Sequence, residues 1–152
     1  MIAEYLILLL SFSAGFLIML FMCVARVKRG SGGVEKWRLD DRPVSRQDID
    51  IINATLEYFS NESNWQHQDD RLCVAGRKQT LFCAIVNASR EISGKYKHRG
   101  SAVHEVRRCI AELYPNRWQE HPVMDFNNNT ETTFADVRKV LQNTLERLNS
   151  RV

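Results

Sequence analysis

Apolar residues are distributed along this chain in two different ways. From Tyr5 to Ala25 they run almost unbroken, as YLILLLSFSAGFLIMLFMCVA, 21 residues without a charge. At about 1.5 Å per residue a helix of that length reaches about 30 Å, the thickness of a bilayer's hydrocarbon core. Beyond residue 44 the apolar positions become periodic instead. Ile49, Ile52, Leu56 and Phe59 follow at helical spacing, opened by Ser45 with Asp48 three residues on, a capping-box arrangement. That helix is expected to run to about Ser60. Thr80 and Leu81 open a second helix carrying Leu81, Phe82, Ala84, Ile85, Ala88 and Ile92, and Gly94 is suited to stop it in the left-handed conformation. This segment is apolar nearly all round in its first turns and is expected to be the central, most buried helix. Ser101 is placed to cap a third helix with Val103, Val106, Ile110 and Leu113, ended by Tyr114-Pro115. Thr132 or Thr133 starts a fourth, with Phe134, Val137, Leu141, Leu145 and Leu148 on one face. The expected fold class is all-α: a single N-terminal transmembrane helix followed by a small four-helix bundle.

Three regions follow from this pattern. Residues 1–25 form the membrane segment, 26–44 a basic linker containing Gly30-Ser31-Gly32-Gly33, and 45–152 the helical domain. The segment's first residues carry Glu4 and no Lys or Arg, and its apolar run exceeds that of a cleaved signal peptide. Arg26, Lys28 and Arg29 follow it directly. The positive-inside rule therefore places the N-terminus outside and the domain in the cytoplasm, with the protein in the inner (plasma) membrane. On that topology Cys73, Cys83 and Cys109 are expected to be free thiols. Four Asn-x-Ser/Thr sequons, at Asn53, Asn61, Asn87 and Asn128, exceed what chance supplies and have no explanation at this level.

Charge adds detail. The chain has 21 Lys+Arg against 18 Asp+Glu, a net +3. Residues 45–76 carry a net −4 and residues 77–113 a net +5. Within the basic stretch, Lys95-Tyr96-Lys97-His98-Arg99 interleaves cations with an aromatic, a composition suited to phosphate on a lipid headgroup or elsewhere. The domain's small net charge argues against nucleic acid. Trp65, His67, Asp69 and Asp70, with Cys73, are the residues that an interaction surface or a small Cys/His/Asp cleft would use. Cys109 follows Arg107-Arg108, neighbours able to lower a thiol's pKa. No spacing suits a metal, and no phosphate-cofactor or nucleophile-elbow motif occurs. No catalytic residue, metal or cofactor is indicated, and the balance is against an enzyme.

Two stretches resemble the DUF6197 family over about residues 45–148. One is Trp65 followed by Gly76-Arg77-Lys78-Gln79-Thr80-Leu81-Phe82-Cys83-Ala84-Ile85-Val86-Asn87-Ala88. The other is Asp125-Phe126-Asn127-Asn128 followed by Thr133-Phe134-Ala135-Asp136-Val137. Phe126 stands where the family pattern has tryptophan and Asn128 where it has aspartate, and the membrane segment lies outside the pattern. The resemblance implies a small helical bacterial or viral domain, with Cys83, Ala84, Asn127, Thr133 and Val137 in structural roles, and implies no reaction. Asn127 reads as a loop residue bonding nearby backbone. The expected function is therefore a single-pass, bacterial-type membrane-anchored interaction or adaptor module, with a protein partner or a second copy of itself. The alternatives are a phosphate or lipid-headgroup binder using residues 95–99, and a small enzyme.

Overall fold

The computed structural model describes residues 42–68, 72–74 and 76–152. They form five helices: α1 Arg46–Tyr58, α2 Leu81–Ser93, α3 Ser101–Leu113, α4 Pro122–Asn128 and α5 Phe134–Asn149, with a 3-10 turn at Glu62–Asn64. Among the described residues no strand forms, and Trp65 and Gln79 meet in one isolated parallel bridge. The all-α class holds, with five helices where four were expected. The expected membrane span and linker lie outside the described residues, apart from residues 42–44. No helix among the described residues is long and apolar enough to cross a membrane.

Capping chemistry sets the helix ends. The Asp48 carboxylate accepts from the Ser45 backbone N–H at 2.9 Å and from its hydroxyl at 2.6 Å, which fixes the start of α1. Its other oxygen accepts from the Ala102 N–H at 3.0 Å, so a single carboxylate serves the first turns of both α1 and α3. The N-cap of α3 is Gly100, one residue before the expected Ser101. The Ser101 hydroxyl instead donates to the Pro43 carbonyl at 2.7 Å, tying the incoming chain to α3. Thr80 caps α2 by accepting from the Cys83 N–H, and Gly94 ends it at φ +73°. In α5, Thr133 and Asp136 form a reciprocal capping box.

The unexpected helix α4 starts with Pro122 at its first position, where a missing N–H costs nothing. Asp125 gathers the N–H groups of Gln119, Glu120 and His121 at 2.8–2.9 Å, which pins the preceding loop to this short helix.

Helix α1 packs against α2, α3 and α5, and α3 packs against α1, α4 and α5. The core is built on Phe59, Phe126, Ile52, Leu81, Ile85, Ile110, Leu141 and Leu148, all fully buried. Burying each side chain of this size contributes about 1.5–3 kcal/mol. The central helix is α3, with nine buried residues, rather than α2, with seven. The reason lies on the outer face of α2. Cys83 and Val86 are buried yet stand outside the main core cluster, and Cys83 is reached by a loop rather than by another helix.

That loop is bonded covalently. Cys73 and Cys83 form a disulfide with their Cα atoms 4.8 Å apart, which corrects the expectation of two free thiols. The expectation followed from the expected reducing compartment, whereas the fold brings the two sulfurs together.

Candidate functional site

The N-termini of α1 and α3, the C-terminal turn of α2 and the loop 95–99 enclose a cleft of about 320 Å³. Lys95, Lys97, Arg99 and Arg42 are the cations that line it. The loop is held tightly in place. The Ser93 hydroxyl donates to the Lys95 carbonyl at 2.8 Å, and the Gly100 N–H donates to the Lys97 carbonyl at 2.9 Å. A Cβ at Gly100 would lie 3.1 Å from that same carbonyl oxygen, so the turn requires close backbone approach. The Arg42 guanidinium donates to the Arg99 carbonyl, which joins the incoming chain to the loop.

Side chains alternate along this loop. Lys95, Lys97 and Arg99 are exposed along the cleft, and among the described residues none of the three makes an ion pair. Tyr96 and His98 turn the other way, so the five-residue basic patch read from the sequence divides between two faces. Tyr96 packs edge-on against Phe82, with ring centroids 5.8 Å apart, and burial raises the pKa of its phenol. The His98 carbonyl accepts from Arg107 at 2.9 Å, and its ring nitrogens lie 3.2 Å from the same guanidinium. The Arg107 charge, with some burial, lowers the pKa of His98 and favours neutral imidazole. His98 lines a smaller cleft of about 100 Å³ with Arg107 and His121.

The residues expected to form an interaction surface or reactive cleft are placed differently. The Trp65 indole donates to the Asn127 side-chain carbonyl at 2.9 Å, and the His67 ring lies 2.9 Å from the Asn129 carbonyl. Neither lines any of the three main clefts. Asp69 and Asp70 lie outside the described residues, and Cys73 is in the disulfide. Cys109 is fully buried, and burial pushes its thiol up to about 11, so the adjacent arginines do not activate it. A third cleft of about 380 Å³ beside Trp118 and Asn129 includes Asp125, whose one oxygen already accepts three backbone donors, and Arg117, which pairs with Asp136 at 2.8 Å. Among the described residues no three His, Cys, Asp or Glu side chains group as a metal would require.

Of the residues singled out by the family resemblance, Cys83 is in the disulfide. Ala84 and Val137 are core, and Thr133 is a helix cap. Asn127 is fully buried within α4 rather than in a loop, and its amide bonds four other residues besides its neighbour Asn128.

Sequence reasoning missed Asp48 as a lining residue of the cleft, because its capping role accounted for it. It missed Arg42 because that residue was assigned to the linker. No protein-family model matches the chain, and no match was found among curated proteins or solved structures.

Proposed function

We propose that this chain is a membrane-anchored binding module whose cleft holds the anionic headgroup of a lipid or a similar phosphate. The observation that carries this reading is that Lys95, Lys97 and Arg99 all line a single cleft, exposed and without carboxylate partners among the described residues. Basic side chains near an anionic bilayer surface gain about 1 kcal/mol each. Arg42 supports the reading further. It stands where the basic linker reaches the domain and borders the same cleft, so an apolar anchor at residues 5–25 would keep the cleft close to the headgroups. Tethering raises the effective concentration of the cleft at that surface, so weak contacts suffice.

The test uses the full chain reconstituted into vesicles with and without phosphatidic acid, read by amide hydrogen exchange. Protection of residues 95–103 that appears with the anionic lipid, fades with salt and is lost in K95A/K97A/R99A is the expected result. Equal exchange in neutral and anionic vesicles would refute the proposal.

An adaptor role is the second reading. It is favoured by Leu72 and Val74, 63% and 48% exposed on either side of the disulfide-bonded Cys73. Crosslinking in native membranes that yields a complex abolished by L72S/V74S would support it, and unchanged crosslinks would count against it.

A further inference from the structure

We infer that the cleft recognises a phosphorylated polyol rather than a bare phosphate; this rests on the headgroup-binding reading above and specifies its ligand class. The inference turns on the other side chains of the same cleft, since Ser45, Ser89, Ser93 and Asp48 line it together with the cations. A serine hydroxyl has one proton to give, and each of these three already gives it to the protein. Ser45 donates to Asp48 at 2.6 Å, Ser89 to the Ile85 carbonyl at 2.7 Å, and Ser93 to the Ser89 carbonyl at 2.7 Å and the Lys95 carbonyl. What remains on these oxygens is acceptor capacity. Asp48 already accepts from the Ser45 N–H, the Ser45 hydroxyl and the Ala102 N–H, which leaves about one of a carboxylate's roughly four acceptor positions for a ligand.

The site therefore offers two kinds of partner. Lys95, Lys97 and Arg99 offer charged donors, while the serine and aspartate oxygens ask for donors from the ligand. An inorganic phosphate dianion satisfies the cations and leaves those oxygens to water. A phosphate carried on a ring or chain of hydroxyl groups satisfies both, since each hydroxyl can donate into the serine and aspartate oxygens. Size agrees. About 320 Å³ lies at the lower end of pockets for small organic ligands, roughly 300–1,000 Å³, and exceeds what one phosphate fills. Gln47, exposed at the rim on α1, can accept or donate to the same hydroxyls.

The chemistry is shared by a polyol-phosphate lipid headgroup and by a free sugar or polyol phosphate. Calorimetric titration of the full chain in neutral detergent, with inorganic phosphate, myo-inositol 1-phosphate and free inositol, tests the ligand class. Inositol phosphate is expected to bind about tenfold more tightly than inorganic phosphate, the gain from one or two added hydrogen bonds. Q47A, an exposed substitution, should shrink that preference while phosphate affinity persists, and K95A/K97A/R99A should lose both. A parallel titration in nanodiscs, comparing phosphatidylinositol phosphate with phosphatidic acid, separates the sources. Preference for the inositol lipid there supports a headgroup, and preference confined to the soluble compound supports a free metabolite. Equal affinity for phosphate and inositol phosphate overturns the polyol inference and leaves the headgroup reading standing. Absence of binding to any phosphate, soluble or lipid, overturns both.

Discussion

The indole N–H of Trp65 donates to the side-chain oxygen of Asn127 at 2.9 Å, across 62 residues of sequence. The same oxygen accepts from the Leu81 N–H at 3.0 Å, and the Asn127 amide nitrogen donates to the carbonyls of Gln66 and His67 at 3.1 and 2.8 Å. One buried side chain in α4 thus satisfies the start of α2 and two backbone acceptors in the loop after α1. Asn127→Ala would strand all of these groups at once. A buried group left without a partner costs about 1–3 kcal/mol, so a loss of about 2–4 kcal/mol is expected. Urea denaturation followed by tryptophan fluorescence measures it, and a loss under 1 kcal/mol would contradict the account.

Local rules recovered what local chemistry decides. Thr80 and Gly94 mark the limits of α2, and Thr133 with Asp136 marks the start of α5, because caps act within four residues. Helix α4 escaped because Phe126-Asn127-Asn128-Asn129 has turn composition and the helix is too short to show a period. Asn127's partners are remote in sequence, so no local pattern carries its role. The basic loop was legible as charge, but its alternation was not, since Tyr96 and His98 turn away only because Phe82 and Arg107 receive them. Three of the four sequons gain local explanations. Thr55 and Ser89 are buried in helices and donate to the carbonyls four residues back, and Asn61 caps the 3-10 turn by accepting from the Ser63 N–H.

The disulfide should be a substantial part of the domain's stability. Its sequence separation is 10, and closing a loop of that length removes about 2–3 kcal/mol of unfolded-state entropy. Thermal unfolding of the full chain with and without dithiothreitol should show a lower midpoint after reduction, and C73S should match the reduced protein. Identical midpoints would mean that the bond does not form in solution.

Acid should weaken the α3–α5 corner. Burial opposes ionisation of Asp136, but the Thr133 N–H, the Tyr114 hydroxyl and Arg117 outweigh it and hold the carboxyl at about 2, well below the usual carboxylate range. A carboxylate with a depressed folded pKa stabilises above its unfolded pKa, and that contribution is lost as pH falls from about 4 to 2. Glu112 acts in the same direction, its pKa lowered chiefly by the hydrogen bond from Arg147. In urea titrations across this range, the stability gap between the native sequence and D136N should narrow as pH falls. A gap that stays constant would remove Asp136 from the acid response.

Glu105 links the core to the edge of the cleft. Its side chain is only 2% exposed and meets Arg108, Arg147 and Arg151 at 3.9, 3.5 and 3.0 Å. Arg151 in turn donates to the Arg42 carbonyl at 2.6 Å, and Arg42 donates to the Arg99 carbonyl. A buried carboxylate on α3 therefore fixes an arginine just beyond α5, which fixes the incoming chain beside the basic loop. Removing Glu105 leaves three partly exposed arginines that water can solvate, while Glu112 still holds Arg147 and Arg108. The cost is therefore expected below the 3–5 kcal/mol typical of a fully buried pair, at about 2 kcal/mol for E105Q. R151A should cost less in global stability yet speed amide exchange at Val44 and Ser45, because it frees the Arg42 carbonyl that anchors this segment. The double variant should fall short of the sum of the single effects by about 1 kcal/mol, the signature of two groups in direct contact. Full additivity, with unchanged exchange at Val44 and Ser45, would show that the Glu105–Arg151 contact neither stabilises the domain nor positions Arg42.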